Sequence, residues 1–84
     1  MTRFYFDTHD GDRTERDTEG VELPDEARAR VEAKAALTDM ARDHLSNGNH
    51  MDFRVTVRNE AGQEIYSASL VMDARLTPAK QRQS

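Results

Sequence analysis

Residues 4–33, Phe4 to Ala33, constrain the fold more than any other stretch. They hold a strand pattern, a glycine turn, a second strand pattern, a second glycine turn and a proline-led helix start. From Arg3 to His9, Phe4, Phe6 and Thr8 alternate with Tyr5, Asp7 and His9, the period of a strand with two unlike faces. Asp10-Gly11 follows, a pair suited to the positive backbone angles of a tight hairpin turn. Residues 12–18 are expected to form the return strand, with Thr14 and Arg16 as its inward residues. Its charges mark it as a sheet edge. Glu19-Gly20 makes a second turn, and Val21 and Leu23 tie the connection to the core. Pro24 is expected in the first helical turn, where no amide donor is needed, with Asp25 and Glu26 complementing the helix dipole. Residues 25–45 are alanine-rich and strongly helical. On a helical wheel Arg28, Glu32, Asp39 and Asp43 share a solvated stripe, opposite Ala33, Leu37, Met40, Ala41 and Leu45. Asn47-Gly48 reads as the helix stop.

The second half repeats the hairpin design. Phe53, Val55 and Val57 alternate with Arg54, Thr56 and Arg58, the cleanest strand pattern in the chain. Residues 59–62 (Asn-Glu-Ala-Gly) form a turn, and residues 63–72 a fourth strand. Ile65 and Leu70 share a face only if this strand carries a bulge. The expected fold is α+β, in the order β-β-α-β-β: one four-stranded, mainly antiparallel sheet with a single helix on one face. The favoured strand order is 2-1-3-4; a parallel contact between the first and last strands is the alternative. The expected core is Phe4, Phe6, Val21, Leu23, Val31, Leu37, Met40, Leu45, Phe53, Val55, Val57, Ile65 and Leu70. Residues 1–76 read as one domain and residues 77–84 as a disordered tail.

Composition limits the functions available. There is no cysteine, so neither a disulfide framework nor a thiolate metal site is expected, as is usual in the cytosol. No apolar run is long enough for a membrane span, and no membrane partner is expected. The net charge of −4 opposes broad attraction to nucleic acid. That charge is segregated: residues 7–26 carry nine acids and two arginines, while residues 74–84 carry three basic residues and no acid.

Candidate sites are few. His9 with Asp7, Asp10 and Asp12 lacks the spacing of a calcium loop and reads as a polar turn. His44 and His50 flank the expected helix end, where a histidine caps carbonyls. No nucleophile–histidine–acid constellation, zinc motif or phosphate-binding glycine loop is present. No catalytic residue, cofactor or metal is therefore expected, and the chain reads as a non-enzyme. The candidate interaction face is the side of the sheet away from the helix, with Arg3, Tyr5, Arg54, Arg58 and Tyr66. Tyrosine and arginine suit an unidentified protein partner or self-association. Basic residues among aromatics also suit weak single-stranded nucleic-acid binding, the alternative reading.

The residues Phe4-Tyr5-Phe6, Asp10-Gly11, Asp17-x-Glu19-Gly20-x-Glu22-Leu23-Pro24-Asp25, Ala27 and Glu32-Ala33 resemble a family of short alphaproteobacterial, rhizobial-type proteins of unknown function. Asn59-Glu60-Ala61-Gly62 matches the acidic-x-Gly hairpin of that family, and the resemblance spans about residues 3–73. Members often carry histidine after the aromatic triplet, where this chain has Asp7. The resemblance implies a fold and a bacterial cytoplasmic setting, and it brings no activity. The passage from a short sheet through Pro24-Asp25 into an alanine-rich helix is also similar to antitoxins of the HicB type, which implies an antitoxin-like regulatory role as part of the alternative reading.

Overall fold

The computed structural model describes residues 1–44, 50–76 and 78. The element order is β1 (Thr2–Asp10), β2 (Arg13–Glu15), β3 (Val21–Leu23), α1 (Glu26–Asp43), β4 (His50–Arg58) and β5 (Glu64–Asp73). They form an α+β fold: one open antiparallel sheet in the order β2-β1-β4-β5, with a single helix. β3 pairs with the same edge of β1 as β2 does, but at the other end of that strand.

The expected order of the four expected strands is present, with a fifth strand, β3, added. Gly11 (φ +58°) makes the first turn, and its N–H donates to the Asp52 carbonyl at 3.0 Å, extending the β1–β4 ladder by one bond. The return strand pairs only through Arg13, Thr14 and Glu15. Thr14 lies opposite His9, so it faces away from the helix, not inward as expected. The chain then leaves the sheet and returns as β3, Val21 beside Phe4 and Leu23 beside Thr2. A span of β1 is left between these two short partners.

Asp25, in extended backbone (φ −162°), caps α1 by accepting the Arg28 N–H at 2.9 Å. Pro24 therefore precedes the cap rather than opening the first turn. Leu45, Asn47 and Gly48 lie outside the described residues, as does the proposed tail apart from Pro78.

The core lies between α1 and one sheet face. Phe4, Phe53, Val55 and Val57 are its largest fully buried side chains, and Leu23, Leu37 and Met51 complete it with Ala29 and Ala33. Both alanines are wholly inaccessible, because the helix backbone lies close against the sheet. Three expected core residues are on the surface. Val31 is 58% exposed, about 200° around the helix from Ala29. Val21 is exposed at the end of β3, and Leu70 on the outermost strand. The expected bulge is present: Val57 pairs with Tyr66 and Arg58 with Glu64, so Ile65 is the extra residue. Ile65 and Tyr66 consequently both pack against the core cluster.

Candidate functional site

β1 and β4 supply the sheet face away from α1. With Phe4, Val55 and Val57 turned to the core, the pleat turns Arg3, Tyr5, Asp7 and His9 the other way, with Asp52, Arg54, Thr56 and Arg58. The ladder then sets Tyr5 beside Arg58, Asp7 beside Thr56 and His9 beside Arg54. Four of the five expected face residues are thus brought to one surface. Tyr66 is not among them: it pairs with buried Val57 and packs on the helix side. The bulge at Ile65 shifts the strand by one residue and so reverses the face of every side chain after it.

The centre of this face is a polar knot. Arg58 donates from Nε to Asp7 Oδ2 at 2.7 Å and from Nη2 to Asp7 Oδ1 at 3.1 Å, a two-pronged ion pair. The same Nη2 donates to the Asp17 carbonyl at 2.9 Å. Asp7 Oδ1 also accepts the Asp17 N–H at 2.9 Å. Asp17 in turn occupies the gap between β2 and β3. Its Oδ2 accepts the Phe6 N–H at 3.0 Å, substituting for the missing strand partner. Its Oδ1 accepts the N–H groups of Glu19 and Gly20, both at 3.0 Å. Arg58 is stacked over the Tyr5 ring at 5.0 Å. The Arg58 and Asp7 side chains retain only 11% and 18% of their accessible surface.

The electrostatics follow from this geometry. The Arg58 hydrogen bonds hold the Asp7 carboxyl below its usual range, against the upward push of burial. Burial pushes Asp17 upward, but the N–H groups of Gly20, Phe6 and Glu19 outweigh it, and this carboxyl also lies below its usual value. Asp7 in turn holds the Arg58 guanidinium more firmly in its charged form.

The other arginines differ sharply. Arg3 is tied down: its Nη1 donates to the Glu19 carbonyl at 2.6 Å, its N–H to Glu60 Oε1 at 3.0 Å, and Nη2 lies 3.7 Å from Glu22. Arg54 is exposed, and its guanidinium makes no hydrogen bond or ion pair with a described residue. Sequence reasoning missed Asp17 and Gly20 as parts of this surface. The signal was present, since an aspartate three residues before a glycine is the mark of a side-chain-capped turn.

Two of the three histidine candidates come together: His44 and His50 line one open pocket with Asp10 and Asp12, while His9 lies apart from them. His9 is bonded through Nδ1 to Thr14 Oγ1 at 2.8 Å on the open face. His44 lies on the helix side of the sheet, 3.6 Å from Asp10 and stacked on Phe53 at 6.0 Å between ring centroids. Among the described residues no group of three or more histidine, aspartate or glutamate side chains is arranged to hold a metal ion. None of the described helices is long and apolar enough to cross a membrane.

A single helix over a small antiparallel sheet, with the other sheet face fastened by a side-chain knot, defines a small α+β domain. The model of a family described as a domain of unknown function (DUF6894) matches residues 3–71, and the chain belongs to that family. No curated protein and no solved structure matches the chain.

Proposed function

We propose that this domain is a small non-enzymatic protein-interaction module of the bacterial cytoplasm, and that it works through the sheet face away from α1. One observation carries the reading: the Arg54 guanidinium stands exposed, with no bond to a described residue, on a face whose surroundings are fixed by the Asp7–Asp17–Arg58 knot. A fixed face loses little freedom on binding, and an arginine is a strong anchor for a partner's carboxylates or aromatic rings. The bacterial cytoplasm is carried over from the resemblance to short alphaproteobacterial proteins. The alternative, a single-stranded nucleic-acid or antitoxin-like role, draws less support. Arg3 and Arg58 are engaged within the molecule, and Asp7 and Glu64 reduce the positive field that a phosphate backbone needs.

The test compares wild type with Arg54→Ala. A partner is captured by the wild-type domain, purified, and titrated against both forms by calorimetry. Binding at least about ten-fold weaker for the variant, an anchor-sized effect, is the expected result. Equal binding, or no partner captured in stoichiometric amount, overturns the reading. Titration of a labelled single-stranded oligonucleotide at low salt separates the alternative. Binding that falls steeply with added salt assigns the face to nucleic acid instead.

A further inference from the structure

We infer that the sheet face around Arg54 takes a phosphorylated side chain that has a basic residue on either side of it in the partner's chain. The inference rests on the interaction module proposed above and names the chemistry that the same face recognises. Across the middle of the face the register sets Thr14, His9, Arg54 and Ser69 side by side, from β2, β1, β4 and β5 in turn. Directly opposed side chains on one face stand ~5 Å apart at Cβ, so one small group reaches several of them. His9, Thr14, Arg54 and Thr56 line a hollow of about 210 Å³ there, and each can donate a hydrogen bond. The Arg54 guanidinium has no partner among the described residues. His9 meets Thr14 through Nδ1, and Nε2 is left unbonded to any described residue. In the occupied site the Thr14 hydroxyl donates to Nδ1, which puts the hydrogen of the neutral ring on Nε2 as a second donor beside the guanidinium. A carboxylate is satisfied by two parallel N–H groups of one arginine. A phosphoryl group brings three acceptor oxygens and a second negative charge, and so also engages His9 and the hydroxyls next to it.

The carboxylates of the face set what flanks that group. Asp7 also borders the hollow, but its charge is taken up by Arg58. Glu64 borders it as well, and its carboxylate has no partner among the described residues. On the other side of Arg54, Asp52 stands two residues along β4 on the same face, ~7 Å of strand away. Its carboxylate is likewise unpaired among the described residues. The face thus offers one positive centre with a negative charge on each side. That pattern complements an anionic side chain between two cationic ones. In an extended peptide, residues two apart point the same way and repeat at ~7 Å, which matches the Asp52–Arg54 spacing. A polynucleotide fits worse, because its successive phosphates bring no cation between them and meet Asp52 and Glu64 instead.

Fluorescence anisotropy with short labelled peptides tests this. The probe carries phosphoserine with a lysine two positions to either side. Its controls replace the phosphoserine by serine or glutamate, or the lysines by alanine. Wild type is expected to bind the probe at least about ten-fold tighter than the serine and glutamate peptides, and about three-fold tighter than the alanine-flanked one. Arg54→Ala is expected to weaken the probe at least about ten-fold, and His9→Ala about three-fold. Glu64→Gln keeps the preference for phosphate and reduces the preference for lysine. Circular dichroism confirms that each variant is folded. Equal binding of the phosphoserine and glutamate peptides, or probe binding unchanged by Arg54→Ala, overturns the inference. Tighter binding of a single-stranded oligonucleotide than of the probe also overturns it. Phosphatase treatment of the captured partner separates this inference from the reading on which it rests. Arg54-dependent binding that survives the treatment overturns the phosphate seat and leaves the interaction module standing. Failure to capture any partner overturns the module, while the peptide titration still reads the seat.

Discussion

Gly20 sits where a side chain has no room. Its φ is +75°, and a Cβ there would lie 2.8 Å from Arg3 Cγ, 3.0 Å from the Phe4 carbonyl oxygen and 3.0 Å from Tyr5 Cε1. Gly11 has a similar φ of +58° but open space around it. Gly11→Ala is therefore expected to cost only the backbone term of about 1 kcal/mol, and Gly20→Ala about 2–3 kcal/mol because backbone and ring must also move. Urea unfolding of both variants checks this, and equal costs would show that the turn relaxes freely. Asp17 is the other residue on which the turn depends, since three backbone N–H groups end on its carboxylate. Removing it leaves the Phe6 amide without its acceptor in a half-buried setting. Asp17→Ala should lose about 2–3 kcal/mol, which for a domain of this size lowers the melting temperature by roughly 10–20 °C. A change of less than about 3 °C would mean that solvent replaces the carboxylate without loss.

Among the elements, those governed by local rules were legible in advance. β4 alternates without interruption, the Asp10-Gly11 pair fixes the β1–β2 hairpin, and the two bulky apolar residues of β5 require a bulge that the register contains. What was not legible depended on phase or on distant partners. Tyr66 lies on the face opposite to the one its alternation indicates, because the bulge at Ile65 reverses the pleat and the alternation alone does not say where the extra residue sits. The sequence marks the three-residue β3 only as a connection, because two apolar residues carry too little pattern for a strand. The knot joins Asp7 to Arg58 across 51 residues, and no local signal links them. In the helix, Ala33 and Leu37 face the sheet as the wheel indicates, while Val31, which its size alone puts in the core, faces outward. Two substitutions in α1 separate these roles. Asp25→Ala, which removes the cap, should cost about 1 kcal/mol. Val31→Gln should stay within about 0.5 kcal/mol, as at any exposed position. Chemical denaturation measures both, and a large loss at Val31 would place it in an interface.

At the scale of the whole molecule, the knot links stability to acidity. Asp7 and Asp17 have folded-state pKa values below the ordinary 3.8. At neutral pH both are ionised whether the chain is folded or not, and their full contribution is present. As pH falls through the ordinary carboxyl range, the unfolded chain takes up protons first and stability drops, until the folded carboxyls are protonated as well. The melting-temperature gap between wild type and Asp7→Asn should thus be widest near pH 7 and narrow as pH falls below about 4. A gap that does not change with pH would mean that the Asp7 charge is not what the substitution removes. The same division between fastening and binding is sharpest in β4, where Arg54 and Arg58 lie on one face of one strand. Thermal unfolding of Arg58→Met and Arg54→Met, compared at neutral pH, tests that division most directly. The expected result is a clear fall in melting temperature for Arg58→Met, which strands the Asp7 carboxylate, and a shift within about 3 °C for Arg54→Met. Equal shifts, or a larger fall for Arg54→Met, would contradict the assignment of Arg58 to the fold and Arg54 to a partner.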